Sequence, residues 1–412
     1  MVRNVNGEVL FVESNLTGYN AIALSLAAEQ GLRTHFVARD PREYVGMKPD
    51  VLSLADSVSV VDTYDVGKLL SFAQQRSVIG MVAVDDYRLI PTAVTAQQLG
   101  LPHADVNGLV QTHFKDRARV LTKGIGRTVE HAVFSPDQDE VTSSPIGYPC
   151  VVKPVDDSGS TGVRLCHDDR DFAEAVERAR EVRRNLRDYL CSPHLLVEEY
   201  VPGVEYTAEC MWDTVRGRWQ LIGYTKKLLG PPPFPVETGA VFPYFFEPEF
   251  DRVVEETVYA WLAATGHRHG SAHVEFKVDG DSVALIEINP RLGGDQIRDL
   301  IRLTSGVDPI DLYMGLYLGR DVRVERAPRT GRYATSFYKL PARLGRVVSV
   351  RAPEGDYEGV VRSNLTTQPM DVTGVRDNDD RLGYVITTAD DFDRSIRLAE
   401  LFMDDVAVEY QS

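Results

Sequence analysis

The segment HVEFKVDGDSVALIEINPRLGGD, residues 273–295, limits what this chain can fold into more than any other. Two runs of alternating apolar and polar residues flank Asp279-Gly280-Asp281-Ser282, the pattern of a β-hairpin. Side chains alternate faces along a strand, so His273, Glu275 and Lys277 share one face of the first strand, and Glu287, Asn289 and Arg291 share one face of the second. Pairing Glu275 with Glu287 centres the hairpin on Asp281, inside the turn, so register and turn agree. Two carboxylates then face each other, which destabilises a sheet by about 0.2–1 kcal/mol unless a cation lies between them. Mg²⁺ bound together with a polyphosphate meets that need, because it takes one or two protein carboxylates and fills its octahedron with phosphate oxygens and water. Asn289 would add a neutral oxygen ligand, and Arg291 a fixed cation for a phosphoryl or carboxylate group. The alternative is a solvated strand face with an incidental glutamate pair.

A second motif, YPCVVKPVDDSGSTGVRLC, sets Lys153 among valines and follows it with a loop of small residues from Asp156 to Gly162. A lysine inside an apolar strand calls for an anion, and successive backbone N–H groups in a Gly/Ser loop form an anion-binding concavity, so the pair reads as a phosphate grip. It is not a Walker loop, since G-x-x-x-x-G-K-[ST] is missing and a strand follows. An ordinary hairpin with a snorkelling lysine is the other reading. LLVEEYVPGVEYTAEC gives a strand, a Pro-Gly turn and a second strand: the backbone of Glu198–Val201 can meet an adenine edge, and the carboxylate of Glu205 can accept ribose hydroxyls. Surface glutamates explain that stretch equally well.

With 412 residues the chain exceeds a single core, which stops growing near ~250–300 residues, so two or three domains are expected. The first hundred residues alternate EVLFVE, AIALSLAAEQG, THFVA, VGKLLSFAQQR, VIGMVAV and IPTAVTAQQLG, strand then helix, which implies a parallel sheet. The first strand-to-helix turn, SNLTGYN, has one glycine, so a dinucleotide fingerprint is unsupported. A helix THFKDRARVLTK leads from Thr112 to Gly124 and Gly126, and a smaller α+β lobe follows. After the helix DPIDLYMGLYLG come the strand-like runs RYATSFYKL and RVVSV, a polar stretch and a closing helix FDRSIRLAELFMDD. The net charge of −16 argues against nucleic acid and anionic membrane as partners. Cys150, Cys166, Cys191 and Cys210 form no CxxC pair and read as reduced thiols, and with neither a signal peptide nor a membrane-spanning run the expected location is the cytoplasm.

In order and spacing these motifs resemble the ATP-grasp superfamily. Lys115, eleven residues before Gly126, resembles the first ATP lysine, and Lys153 the second, which holds the α and β phosphates. Ser158, Gly159, Ser160, Thr161 and Gly162 resemble the loop that closes over the nucleotide; Glu198 and Glu199 with Val201 match the adenine hinge, and Glu205 the ribose acid. Glu275, Glu287, Asn289 and Arg291 match the magnesium and phosphoryl group. The resemblance implies an ATP-grasp fold of α/β and α+β parts: an N-terminal parallel-sheet domain (1–107), a linker helix and lid (108–196), a metal-binding catalytic subdomain (197–320) and a C-terminal lobe (321–412). Within the superfamily the chain looks closest to L-amino-acid (dipeptide) ligases, through the loop GPPPFPVETGAVFP, the sequence NPRLGGDQI and the trailing strands. Glu237 matches a glutamate that faces the amine in those enzymes; where some have histidine three residues later, this chain has Ala240. Of the adjacent Lys226 and Lys227 at most one can reach the phosphates, and Lys226 is favoured.

The implied reaction is attack of a carboxylate on the ATP γ-phosphate, followed by attack of an amine on the acyl phosphate. ATP and two Mg²⁺, with Mn²⁺ as a substitute, are the expected cofactors, and small carboxylates and amines the expected partners. Dimerisation is common among the enzymes the chain resembles, and no residue here specifies it. A carboxylase working through carboxyphosphate and a non-catalytic nucleotide-binding module are the alternatives.

Overall fold

The computed structural model describes residues 7–411 except 16, 138–140, 182, 186 and 235. Leu16 of the first strand-to-helix turn and Pro235 of the proline loop therefore lie outside the described residues. Among the described residues the N-terminal sheet has four parallel strands in the order Ser57–Val60, Arg33–Ala38, Glu8–Val12, Val78–Ala83. Glu8–Val12 is buried at every position, as its unbroken apolar run requires of a central parallel strand. Ser57–Val60 goes unread in the sequence because SVSV is short and sits at the sheet edge, where both valines are exposed. The strand order reverses between Glu8–Val12 and Val78–Ala83, and the carboxyl ends of those two strands open a crevice.

The single helix expected from Thr112 is two, Val106–His113 and Lys115–Leu121, broken at Phe114, whose backbone is extended (φ −89°, ψ 109°). The break frees the Lys115 N–H to bond the Val155 carbonyl at 2.8 Å, tying this helix to the start of the glycine loop. The lid is an antiparallel sheet, His131–Phe134, Leu195–Glu199, Cys150–Pro154, Arg164–Cys166, covered by helix Asp169–Glu181 through Phe172, Ala175 and Val176. Cys150, Cys166 and Cys210 are buried and all four thiols are free.

Among the described residues an eight-stranded antiparallel sheet follows, in the order Ser282–Asn289, Ser271–Asp279, Val204–Asp213, Arg218–Leu229, Glu237–Tyr244, Tyr333–Tyr338, Gly383–Ala389, Val360–Leu365, and a three-stranded one, Met370–Val372, Gly345–Arg351, Ala407–Tyr410, lies in the C-terminal segment. The last three strands of the larger sheet come from beyond residue 320, so the C-terminal segment extends the catalytic sheet directly. Helix Pro248–Thr265 covers one face, packing Val254, Val258, Trp261 and Leu262 on Tyr206, Val274 and Phe276. Glu275 does pair with Glu287. The turn is tighter than parity alone implies: Asp279 pairs with Ser282, Gly280 takes φ +57°, and a bulge at Ile286 restores the facing glutamates. No described helix is long and apolar enough to cross a membrane.

Helix Val106–His113 docks through Gly108, where a Cβ would lie 2.4 Å from the His267 Cα and 2.7 Å from the Gly266 carbonyl oxygen. Intrinsic propensity favours alanine over glycine in a helix by ~1 kcal/mol, but backbone cannot yield as a side chain can. Gly108→Ala is therefore expected to destabilise the protein by ~1–3 kcal/mol, read as a lowered midpoint in thermal unfolding.

Candidate active site

Between the lid and the large sheet lies a cavity of about 200 Å³. The lid supplies Lys153 and Ser158 to Thr161; Glu198, Glu199 and Val201 form the strand end beside them; Glu205, Glu237, Glu275 and Glu287 rise from the sheet, and Lys115 enters from its helix. Gly162 instead borders a separate cavity behind the loop. In the loop Gly159 and Ser160 both take left-handed backbone (φ +71° and +62°), which turns the chain within three residues.

Face parity explains the sheet's contribution. Glu275 is in register with Thr207, Thr207 with Thr225, and Glu275 with Glu287, so Glu205, Lys227, Glu275 and Glu287 all share the cavity face. This corrects the preference for Lys226: its Nζ lies on the opposite face, 5.6 Å from the centre of the Phe392 ring. Lys227, 4 % exposed, bridges Glu237 at 2.8 Å, Glu275 at 2.9 Å and Glu205 at 3.4 Å. Those carboxylates outweigh burial and hold its ammonium well above the ordinary range. Against burial, which alone would raise it, the Glu275 carboxyl is held well below its ordinary range by Lys227 and His273.

Glu198 presents its carboxylate to Lys153 at 2.6 Å and to Arg119. Burial alone would raise its pKa; the two cations bring it down to about 2. Arg119 also donates to the carbonyls of Leu285 (2.6 Å) and Ile286 (2.8 Å), so one guanidinium joins lid to hairpin. At the hinge, the N–H groups of Glu199 and Tyr200 go to the Glu130 and Pro149 carbonyls, the Glu199 carboxylate to Arg127, and the Val201 carbonyl accepts from Lys277 Nζ at 3.2 Å.

Asn289 Nδ2 donates to Glu275 (3.2 Å) and Glu287 (2.9 Å), while Lys115 reaches Glu287 at 3.1 Å. Two facing carboxylates with an amide are a hard-oxygen donor set suited to Mg²⁺. Among the described residues no group of three or more His, Cys, Asp or Glu is arranged to hold an ion. A divalent cation there draws its remaining ligands from elsewhere, as one shared with a polyphosphate does. His273 lies beside the pair, bonded to Glu209 at 2.9 Å; against burial, Glu209 and Glu275 keep it up at about 10, so it stands as a charged support of the row.

A second cavity, about 270 Å³, adjoins the first and shares Ser158 to Thr161, Glu237, Glu275 and Glu287 with it. It opens on the crevice of the parallel sheet, through Asn15, Asp85, Asp86 and Tyr87. Arg291 faces this cavity, its Nε held by both oxygens of Asp86 (2.8 and 2.9 Å). Tyr87 donates to Asp157 at 2.6 Å, so the N-terminal domain also grips the lid loop. Sequence reading missed Arg119, Asp86 and Lys227. The i,i+4 spacing of Lys115 and Arg119 on one helix and the DDY that follows a parallel strand were available signals; the lysine choice needed the cross-strand register.

Comparison with known proteins agrees with this geometry. Residues 146–299 match the ATP-grasp domain, and residues 338–411 match the L-amino acid ligase C-terminal domain 2. The chain carries an ATP-grasp domain. L-amino acid ligase from Bacillus licheniformis superposes with a TM-score of 0.77 at 17 % identity, covering all of both chains. The uncharacterized protein y4rH of Sinorhizobium fredii is 28 % identical over 88 % of this chain and 75 % of its own length. Carnosine synthase 1 of Gallus gallus is 26 % identical over 71 % of this chain, which spans 33 % of that longer protein. The ATP-grasp fold, with its parallel N-terminal sheet and antiparallel sheets, is thus the one expected from the sequence.

The two lysines separate experimentally. Lys227→Ala leaves Glu205, Glu237 and Glu275 without their shared cation and is expected to cost ~3–5 kcal/mol, seen in denaturant unfolding, and to abolish ATP turnover. Lys226→Ala should leave both near wild type.

Proposed function

We propose that the chain is an ATP-dependent carboxylate–amine ligase that couples small molecules, amino acids foremost, and releases ADP and phosphate. The observation that carries this is the meeting of two cavities along one row of carboxylates: the first, with Lys115, Lys153 and the Ser/Gly loop, suits a nucleotide, and the second, with Arg291 at the shared edge, suits the substrates. A nucleotide-binding module needs only the first.

In this reading Lys115 and Lys153 hold the phosphates, the loop Ser158–Gly162 covers them, Glu198, Glu199 and Val201 border the adenine, and Glu205 the ribose. Glu275, Glu287 and Asn289 would hold two Mg²⁺, which would supply charge neutralisation to the polyphosphate. Arg291, oriented by Asp86, draws the substrate carboxylate toward the γ-phosphate and then steadies the acyl phosphate, while the lid excludes water. Lys227 replaces Lys226 in the assignment, as the ammonium that spaces the carboxylates. Residues 1–107 form the far wall of the substrate cavity, 108–196 the lid, 197–320 the metal face, and 321–412 a closing wall.

Glu237 borders both cavities and faces the amine. Burial and Asp295 push its pKa up to about 8, with Lys227 opposing. The group is therefore protonated below that value and accepts a proton only as pH approaches it. kcat/KM for the amine should rise with pH through an acid limb near 8, and Glu237→Gln should remove that limb.

ADP release measured with and without amine tests the ligase: fast turnover is expected only with both substrates, and a chain that binds ATP but releases no ADP with any pair contradicts it. Glu287→Gln should abolish product formation while the fold persists, and Lys153→Ala should weaken ATP binding in calorimetry.

A further inference from the structure

One wall of the substrate cavity is made by the C-terminal lobe. Its short helical turn, Asn378–Asp380, and Arg381 reach the carboxylates at the cavity edge. Asn378 Oδ1 accepts the Glu237 N–H at 3.0 Å, and its Nδ2 approaches Glu237 Oε1 at 3.4 Å. Arg381 takes both oxygens of Asp295, Nη1 at 3.0 Å and Nη2 at 2.7 Å, donates to the Glu237 carbonyl at 3.4 Å, and lies 3.8 Å from the centre of the Tyr338 ring. Asp295 itself stands in left-handed backbone at φ +49°, with Gln296 after it at φ +68°; the Ser336 hydroxyl holds the Asp295 carbonyl at 3.2 Å. Non-glycine residues persist in that region only where the surroundings fix them. Lys227 pins the other side of Glu237. Two carboxylates, one at the start of a strand and one in the turn after the hairpin, are thus fixed together at the edge of the substrate cavity, Glu237 bordering the nucleotide cavity as well.

We infer that Asn378 and Arg381 are positioning residues for the amine half of the reaction: they hold Glu237 and Asp295 as a carboxylate pair that receives the ammonium of the attacking amine. The inference rests on the ligase reading. An ammonium carries the charge such a pair wants, and a neutral or anionic group does not. Once ionised, the Glu237 carboxylate takes one proton from the ammonium, the freed lone pair forms the C–N bond to the acyl carbon, the bond between that carbon and the phosphate oxygen breaks, and phosphate leaves with the electron pair and the second N–H proton. Asp295, held ionised by Arg381 against the burial that opposes it, keeps the cation in place. Formation of the acyl phosphate uses the nucleotide and the acid alone and draws on none of the contacts made by Asn378 and Arg381.

That separation gives the test. The full-length protein is assayed with ATP, Mg²⁺ and a pool of proteinogenic L-amino acids, with or without hydroxylamine, a nucleophile uncharged at neutral pH that traps an acyl phosphate as hydroxamate. In Arg381→Ala, Asn378→Ala and Asp295→Asn, hydroxamate formation should stay within about threefold of wild type while amide formation falls ~10²-fold or more, with a raised KM for the amine. Arg381→Lys, which keeps the charge but not the fork, should recover part of the amide rate. Hydroxamate and amide falling together, or amide unchanged, overturns the inference. Wild-type hydroxamate without amide from any of these amines overturns it alone, whereas no wild-type hydroxamate overturns the ligase reading with it.

Discussion

One ammonium organises the centre of this protein. Lys227 stands among Glu205, Glu237 and Glu275, each on a different strand of one sheet, and without it three largely enclosed carboxylates, their side chains 10–13 % exposed, would face one another. Because the three come from separate strands, the lysine also fixes the strands' relative register at that level. Lys115 does the same for Glu287 from outside the sheet. The carboxylate row can therefore persist before any divalent cation arrives, preformed and with its charge already half balanced. Binding a metal–polyphosphate then replaces one set of cation contacts with another and leaves the carboxylates where they are.

The lid depends on a second buried cluster built by the same logic. Glu198 is shared between Lys153 of the lid and Arg119 of the linker helix, and Arg119 reaches on to the backbone of the hairpin. The loop that follows Lys153 is held from the other side, by Tyr87 on Asp157 and by the Lys115 N–H on Val155. These links hold the phosphate grip from neighbouring elements, so its opening exchanges them for others, as a lid admitting a nucleotide must do.

How much of this could be read in advance follows from the range of each interaction. The hairpin was legible because alternation and a turn are local, and Glu275 faces Glu287 as parity requires even though a bulge shifts the turn. The parallel sheet was legible from its strand-helix alternation, apart from Ser57–Val60, a four-residue edge strand whose two valines are exposed. Lys226 and Lys227 could not be told apart from the sequence, since which of two adjacent residues faces a site depends on pairing with strands at sequence distances no local pattern encodes. The helix break at Phe114 escaped for a related reason: it is stabilised by a bond to Val155, forty residues away in the chain or thereabouts. Asp86, Asn378 and Arg381 belong to loops and turns that carry no periodicity, and only their placement gives them meaning.

The division at residue 320 illustrates the difference between a sequence segment and a structural layer. Strands Tyr333–Tyr338, Gly383–Ala389 and Val360–Leu365 extend the same sheet that carries Glu275, so the C-terminal lobe is bonded edge to edge to the catalytic strands. Gly239 and Ala240 in Glu237–Tyr244 pair with Phe337 and Ser336, and Ala240 is buried at that junction. A histidine there would have to enter a position that is 1 % exposed and belongs to the apolar core with Phe242 and Ala334. Glu237, on the same strand, has its polar surroundings supplied by Lys227 and by the turn at Asn378. The lobe therefore shapes the substrate cavity by contributing one wall, through Asn378, Asp379 and Arg381.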